Sequence, residues 1–185
     1  MSIEDRNRWD QRHRNPATLK ARPSVLALPR VPRTPAVALD LACGQGRHSR
    51  ALLQAGYQVV AMDVSMRGLR HLHSTTHEKC STEILLVQAD ADAWPLAAGV
   101  FDLVVQVDFL ERALFATLRA SLRSGGLLLI DTFMEQGRPN AEGPTRRDFL
   151  LEAGELPRAF AEFELLQYDE RRGDTARATM LARKR

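Results

Sequence analysis

From residue 36 onward the chain alternates short apolar runs with stretches in which apolar residues recur every three or four positions. Runs of four to eight apolar residues bounded by turn formers read as buried strands, and the 3.6-residue repeat reads as amphipathic helix. The first run, Ala36-Val37-Ala38-Leu39, leads into Asp40 and a glycine-rich turn, and residues 49–56 then predict a helix ended by Gly56. Further strands are predicted over 58–63, 83–90, 101–107 and 127–131. Between them lie a helix capped by Ser65 and running to about residue 74, and a helix over roughly 111–123 with Leu114, Phe115, Leu118 and Leu122 on one face. Gly125-Gly126 is expected to end that helix. A loop with Gly137, Pro139, Gly143 and Pro144 leads to a helix containing Leu156 and Phe160, and residues 164–170 and 176–182 predict a hairpin turning through Arg172-Gly173-Asp174. Strands alternating with helices imply an α/β fold built on a largely parallel sheet.

The first 35 residues do not share this pattern. Residues 4–14 are a charged stretch with one large apolar side chain, Trp9, and Pro16, Pro23, Pro29, Pro32 and Pro35 then break the chain, leaving only 24–28 as a helical turn. The expected organisation is therefore an N-terminal extension or lid over 1–35 and one domain over 36–185.

Composition changes little in this picture. A chain of 185 residues, 44% hydrophobic and 26% charged, is an ordinary single-domain globular protein. Apolar runs such as 125–130 are too short to cross a bilayer and the N-terminus has no apolar signal core, so no membrane association and a cytoplasmic location are expected. Cys43 and Cys80 form no C-x-x-C pair and have no histidine pair at ligand spacing, so neither a metal site nor a disulfide scaffold is expected, and Cys43 reads as a packed residue of the turn. The net charge of +3 is uneven: residues 1–36 carry 8 basic against 3 acidic groups, residues 171–185 carry 6 against 1, and the middle is acidic. Basic ends keep nucleic acid as an alternative partner, although such ends are commonly solvated tails.

The candidate chemistry lies in the first turn. Gly44 and Gly46 let the backbone turn tightly and approach a ligand closely. Asp40, four residues earlier at the mouth of the strand, argues against a dinucleotide: each close pair of like charges costs roughly 4 kcal/mol at an effective dielectric near 20. A cationic ligand would gain instead. Ser49 also stands where a dinucleotide fingerprint needs its third glycine. Asp63 ends the second strand, where an acid holds a ribose diol. One acid for a cation and one for a ribose describe S-adenosylmethionine.

The pattern Asp40-x-Ala42-x-Gly44-x-Gly46 followed by Asp63 resembles the class I S-adenosylmethionine-dependent methyltransferases, and Cys-Gly-x-Gly-Arg resembles their small tellurite-resistance-type branch. The resemblance covers roughly residues 36–185, and Ala42 departs from the commoner glycine. It implies a doubly wound, Rossmann-like, mostly parallel seven-stranded sheet with a C-terminal antiparallel hairpin, and S-adenosylmethionine as the cofactor. It also implies site roles: Asp40, Ala42, Gly44 and Gly46 around the methionine part, Asp63 on the ribose, Asp90 and Ala91 framing the adenine, and Gln106 beside the methionine or sulfonium. Asp90 also reads as a solvated acid, and His48 as a packing or hydrogen-bonding residue.

The acceptor is narrowed by what is missing. Val107-Asp108-Phe109-Leu110 follows the fourth strand in place of the acid-or-amide, Pro, Pro, aromatic tetrapeptide of amino-group methyltransferases. Asp108, Glu111, Arg112, Thr132, Phe133, Glu135, Arg138 and Arg146 surround the expected acceptor position. No catalytic residue is assigned, because an activated methyl sulfonium chiefly needs donor and nucleophile held in line. The reading is methyl transfer to a small-molecule acceptor, with methylation of RNA or protein, or a donor-binding module without catalysis, as alternatives. Two further expectations are that the basic extension lies over the acidic strand ends with Trp9 as its anchor, and that replacing Asp63 leaves the free protein's melting temperature unmoved.

Overall fold

The computed structural model describes residues 3–15, 19–29, 35–76, 83–135, 143–173 and 175–185. Pro16, Pro32, Cys80, Gly137, Arg138, Pro139 and Asp174 lie outside the described residues. The chain divides into two compact units, residues 1–97 and 98–185.

In the first unit the extension supplies α1 (Ile3–Arg12) and a single turn, α2 (Pro23–Leu26), which begins on Pro23 because a helix needs no N–H at its first position. There follow β1 (Val37–Leu41), α3 (Arg47–Gln54), β2 (Gln58–Asp63), α4 (Met66–Thr76) and β3 (Ile84–Gln88). β1 runs parallel to β2, with Val37 opposite Gln58 and Leu41 opposite Met62. β2 runs parallel to β3, with Val59 opposite Ile84 and Asp63 opposite Gln88. Parallel neighbours need a crossover, which α3 and α4 provide, and Leu39, Leu41, Leu52, Tyr57, Met62 and Leu72 are buried in the layer between. α3 starts at Arg47, ahead of the expected Ser49, because Gly46 already occupies the cap with φ of 77°. α4 follows the expected cap: the Gly68 N–H donates to Ser65 Oγ at 3.1 Å.

In the second unit β4 (Phe101–Val107) is followed by a short 3-10 turn, α5 (Phe115–Ser121) and β5 (Leu122–Phe133). A second 3-10 turn (Arg147–Phe149), α6 (Glu155–Ala159), β6 (Glu164–Arg171) and β7 (Arg177–Arg183) complete it. β4 and β5 are parallel, β7 is antiparallel to both β5 and β6, and the order is β4-β5-β7-β6. The expected helix over 111–123 is corrected: it ends at Ser121, and the glycine pair lies inside β5. Leu122 pairs with Phe101, the register then shifts, and pairing resumes between Leu127 and Leu103, so Gly125 at φ of 78° marks a bulge in a strand, not the end of a helix. Phe160 stands just beyond α6, its ring 5.0 Å from Phe115 and 5.6 Å from Phe163.

Among the described residues seven strands, mostly parallel and ending in an antiparallel hairpin, are those expected from the sequence. Among the described residues no helix is long and apolar enough to cross a membrane.

Candidate functional site

β1 carries Asp40 into the interior, where it is 1% exposed and accepts a hydrogen bond of 2.5 Å from Ser49 Oγ of α3. Burial pushes its pKa up to about 7, opposed by the hydrogen bonds from Ser49 and reinforced by the nearby Asp63. Ser49, which the sequence reading treated only as a missing glycine, is thus the partner that holds this acid. After β1 the backbone turns at Ala42, whose φ of 56° lies in the left-handed region that glycine adopts more easily. Gly46 closes the turn by donating to the Cys43 carbonyl at 2.8 Å, and a Cβ added there would stand 2.2 Å from Leu72 Cδ1. Glycine is required at that position.

Asp63 ties this turn to the next. One carboxylate oxygen accepts from the Gly44 N–H at 2.7 Å, and the other accepts from the Ser65 N–H at 2.8 Å. Burial raises its pKa, while these two amides work in the opposite direction. The Ala89 N–H donates to the Asp63 carbonyl at 3.2 Å, which places the exit of β3 beside that of β2. Asp90 then accepts from the Asp92 N–H at 3.0 Å and caps a short turn in which Ala91 is buried. Asp40, Ala42, Gly44, Gly46, Asp63, Asp90 and Ala91 therefore gather at the carboxyl ends of three adjacent parallel strands, where open α/β sheets take their ligands. Gln106 lies in the other unit, fully buried near the end of β4, with Nε2 donating to the Phe109 carbonyl at 3.0 Å.

Cys43 is buried and its thiol pKa is pushed up by that burial, which matches a packed residue and not a nucleophile. His48 is buried within α3.

Several charged residues expected near the acceptor make contacts within the second unit. Arg112 donates to both Glu155 oxygens at 2.6 and 2.8 Å, to the Asp148 carbonyl at 2.7 Å and to the Leu150 carbonyl at 2.8 Å. It is one wall of a crevice of about 370 Å³ in which Glu135 pairs with Arg147. Asp108 adopts a left-handed φ of 57°, and its carboxylate meets Arg177 Nη2 at 2.7 Å. Arg177 also donates to the buried Asp131 carboxylate at 2.7 Å and lies 4.6 Å over the Phe133 ring. The sequence reading missed this buried cation. The one available signal was Asp131, an acid ending an apolar run as Asp40 and Asp63 do.

The profile of the methyltransferase domain family matches residues 38–126. Probable S-adenosyl-L-methionine-dependent methyltransferase TehB of Haemophilus influenzae is 28% identical over 170 residues, which is 82% of this chain and 58% of TehB. The crystal structure of Haemophilus influenzae TehB superposes with a TM-score of 0.70 at 26% identity, over 82% of this chain and 58% of that one. The chain belongs to the class I S-adenosylmethionine-dependent methyltransferases, in a TehB-like branch. S-adenosylmethionine is the cofactor of this methyltransferase family. Hemagglutinin 1 of Eikenella corrodens is 32% identical over 146 residues, 74% of this chain and 46% of its own length. The chain spans about half the length of the curated relatives it matches.

The first unit fits the methyltransferase cofactor on its own chemistry. A buried carboxylate with a raised pKa suits a cation, a turn narrowed to glycine at position 46 admits close backbone approach, and a strand-end acid suits a diol. Among the described residues no three His, Cys, Asp or Glu side chains are grouped to hold a metal ion.

Proposed function

We propose that this protein binds S-adenosylmethionine at the carboxyl ends of β1, β2 and β3 and transfers its methyl group to a small-molecule acceptor in the cytoplasm. The observation that carries the reading is the pair of buried acids, Asp40 and Asp63, on either side of the Ala42–Gly46 turn. Asp40 would face the cationic methionine end, Gly44 and Gly46 would lie along it, Asp63 would accept from the ribose hydroxyls, and Asp90 with Ala91 would frame the base. The cofactor supplies an already activated methyl sulfonium, so no protein nucleophile is required. The work of the chain is to orient the donor and exclude water, and such positioning supplies roughly 7–11 kcal/mol toward a transfer. A small acceptor is favoured because no stretch between the described elements is long enough to hold a separate macromolecule-reading domain. Residues 36–185 serve as the transferase domain, and residues 1–35 as a cover over the donor turn.

Isothermal titration with S-adenosylhomocysteine tests the donor site. Binding at micromolar level, about −8 kcal/mol, is expected, with NADH silent. Binding of NADH alone would overturn the reading. A labelled-methyl screen over thiols, oxyanions, carboxylic acids and tRNA then separates a small acceptor from RNA, and transfer to none of them from a purely donor-binding module.

A further inference from the structure

The extension meets the donor turn through Asp10 at the end of α1 and His13 just beyond it. Asp10 Oδ1 accepts from Ser65 Oγ at 2.6 Å and from the Arg67 N–H at 3.1 Å. His13 Nδ1 lies 3.1 Å from the same Ser65 oxygen. Gln45 Nε2 of the glycine turn donates back to the Asn15 carbonyl at 2.9 Å, which fixes the chain leaving the helix. Trp9 is only half-buried, 5.4 Å beneath the Arg12 guanidinium, so the contacts that dock the helix are polar.

The proton count of this chain of contacts decides the histidine tautomer. A serine hydroxyl has one hydrogen, and Asp10 as a carboxylate can only accept. Ser65 therefore gives its hydrogen to Asp10, and the hydrogen in the Ser65–His13 contact must come from Nδ1. A neutral imidazole then carries a bare lone pair on Nε2. That atom stands against the donor turn: a Cβ on Gly44 would come within 3.3 Å of it. On the other side, a Cβ on Gly68 would come within 2.9 Å of Nδ1, so the ring fits between two bare backbone positions.

We propose that His13 is a donor-binding residue, its Nε2 accepting a hydrogen bond from the ammonium at the methionine end of the cofactor, with Asp10 and Ser65 as the positioning relay that points the lone pair. The proposal rests on the donor reading above, and makes the extension part of the site, not a separate tail. The groups facing the imidazole are Asp63 at the end of β2, Asp10 and Arg12 from α1, and His71 from α4. Burial is the largest influence and holds the imidazole below its ordinary pKa, in spite of Asp63 and Asp10, so the neutral, accepting form prevails at pH 7. The sign follows: the contact is complete above the His13 pKa and is lost as pH falls through it, because a proton on Nε2 removes the acceptor.

Titration calorimetry with S-adenosylhomocysteine across pH 5.5–8 on the full chain tests this. His13→Phe keeps an aromatic ring without the acceptor and is expected to bind about tenfold more weakly at pH 7.5. His13→Gln offers a carbonyl that does not titrate, and is expected to bind within about threefold of the unaltered protein at pH 7.5 while losing less affinity at pH 5.5. Asp40 titrates near pH 7 and is common to all three proteins, so the difference between His13→Gln and the parent isolates the histidine. Equal affinity of His13→Phe and the parent, or an unchanged pH profile in His13→Gln, would overturn the proposal. If His13→Phe does not fold, the His13→Gln profile alone decides. No binding by the unaltered protein would instead sink the donor reading.

Discussion

Asp40 is held as an acid in a place where water cannot solvate its charge, and this has a consequence for stability. Its pKa stands at about 7 in the folded chain, against roughly 3.9 when unfolded. The folded state therefore binds the proton more tightly, so the group's contribution is complete below about pH 4 and is lost as pH rises through about 7. Urea unfolding at pH 5 and pH 7.5 is expected to show a loss on the order of 3 kcal/mol that Asp40→Asn abolishes. An identical loss in both proteins would clear Asp40 of that role. Asp63 is more than a ligand acid. Because it receives the Gly44 and Ser65 amides, Asp63→Ala leaves two N–H groups without their acceptor, at about 1–3 kcal/mol each. The sequence-based expectation of an unmoved melting temperature is thus replaced: calorimetry of the donor-free variant should show a fall of at least about 4 °C, and Asp63→Asn, which keeps an acceptor, a smaller one. The two acids were legible from the sequence as strand ends. Ser49 was not, since nothing local says that a helix will bring its hydroxyl to Asp40.

Among the elements, those built by local pattern were read well and those built by distant contact were not. β2 and β4 have the bounds their apolar runs predict, because a strand buried on both faces is largely apolar along its length. The α5–β5 boundary failed because a glycine pair signals a helix end and a strand bulge equally well, and only the partner strand decides between them. The short turn at Arg147–Phe149 and the clasp of Arg112 around it were invisible for the same reason: the carbonyls and the Glu155 carboxylate that Arg112 gathers are far from it in sequence. Arg177 reads as one position of an alternating strand, yet it is buried with Asp131 on the neighbouring strand. Removing one partner of such a pair leaves the buried Asp131 carboxylate without its cation, which costs about 3–5 kcal/mol. Arg177→Ala should therefore lower the urea midpoint far more than Arg183→Ala, whose pair with Glu164 is exposed. Similar midpoints for the two variants would show that the Asp131 charge is relieved in some other way.

At the scale of the molecule, the candidate donor positions fall unevenly on the two units. Seven of the eight candidate donor positions lie in the first unit, together with Trp9 and Trp94, the chain's 2 tryptophans. Intrinsic tryptophan fluorescence is therefore a built-in reporter of the unit that the donor would bind. A ligand that binds only the folded state stabilises it by about 2.7 kcal/mol at one hundred times its dissociation constant. For a chain of 185 residues this corresponds to a rise of about 5–10 °C in the fluorescence midpoint with S-adenosylhomocysteine. Asp63→Ala should lose most of the rise, since the same side chain serves the fold and the donor, and adding more ligand should restore it in proportion to the weakened affinity. Because the acid that faces the cation must be ionised to attract it, the rise is also expected to be larger at pH 8 than at pH 6, following the titration of Asp40 near pH 7. A midpoint that stays fixed at saturating ligand would mean that the acids at the ends of β1 and β2 are there for the fold alone.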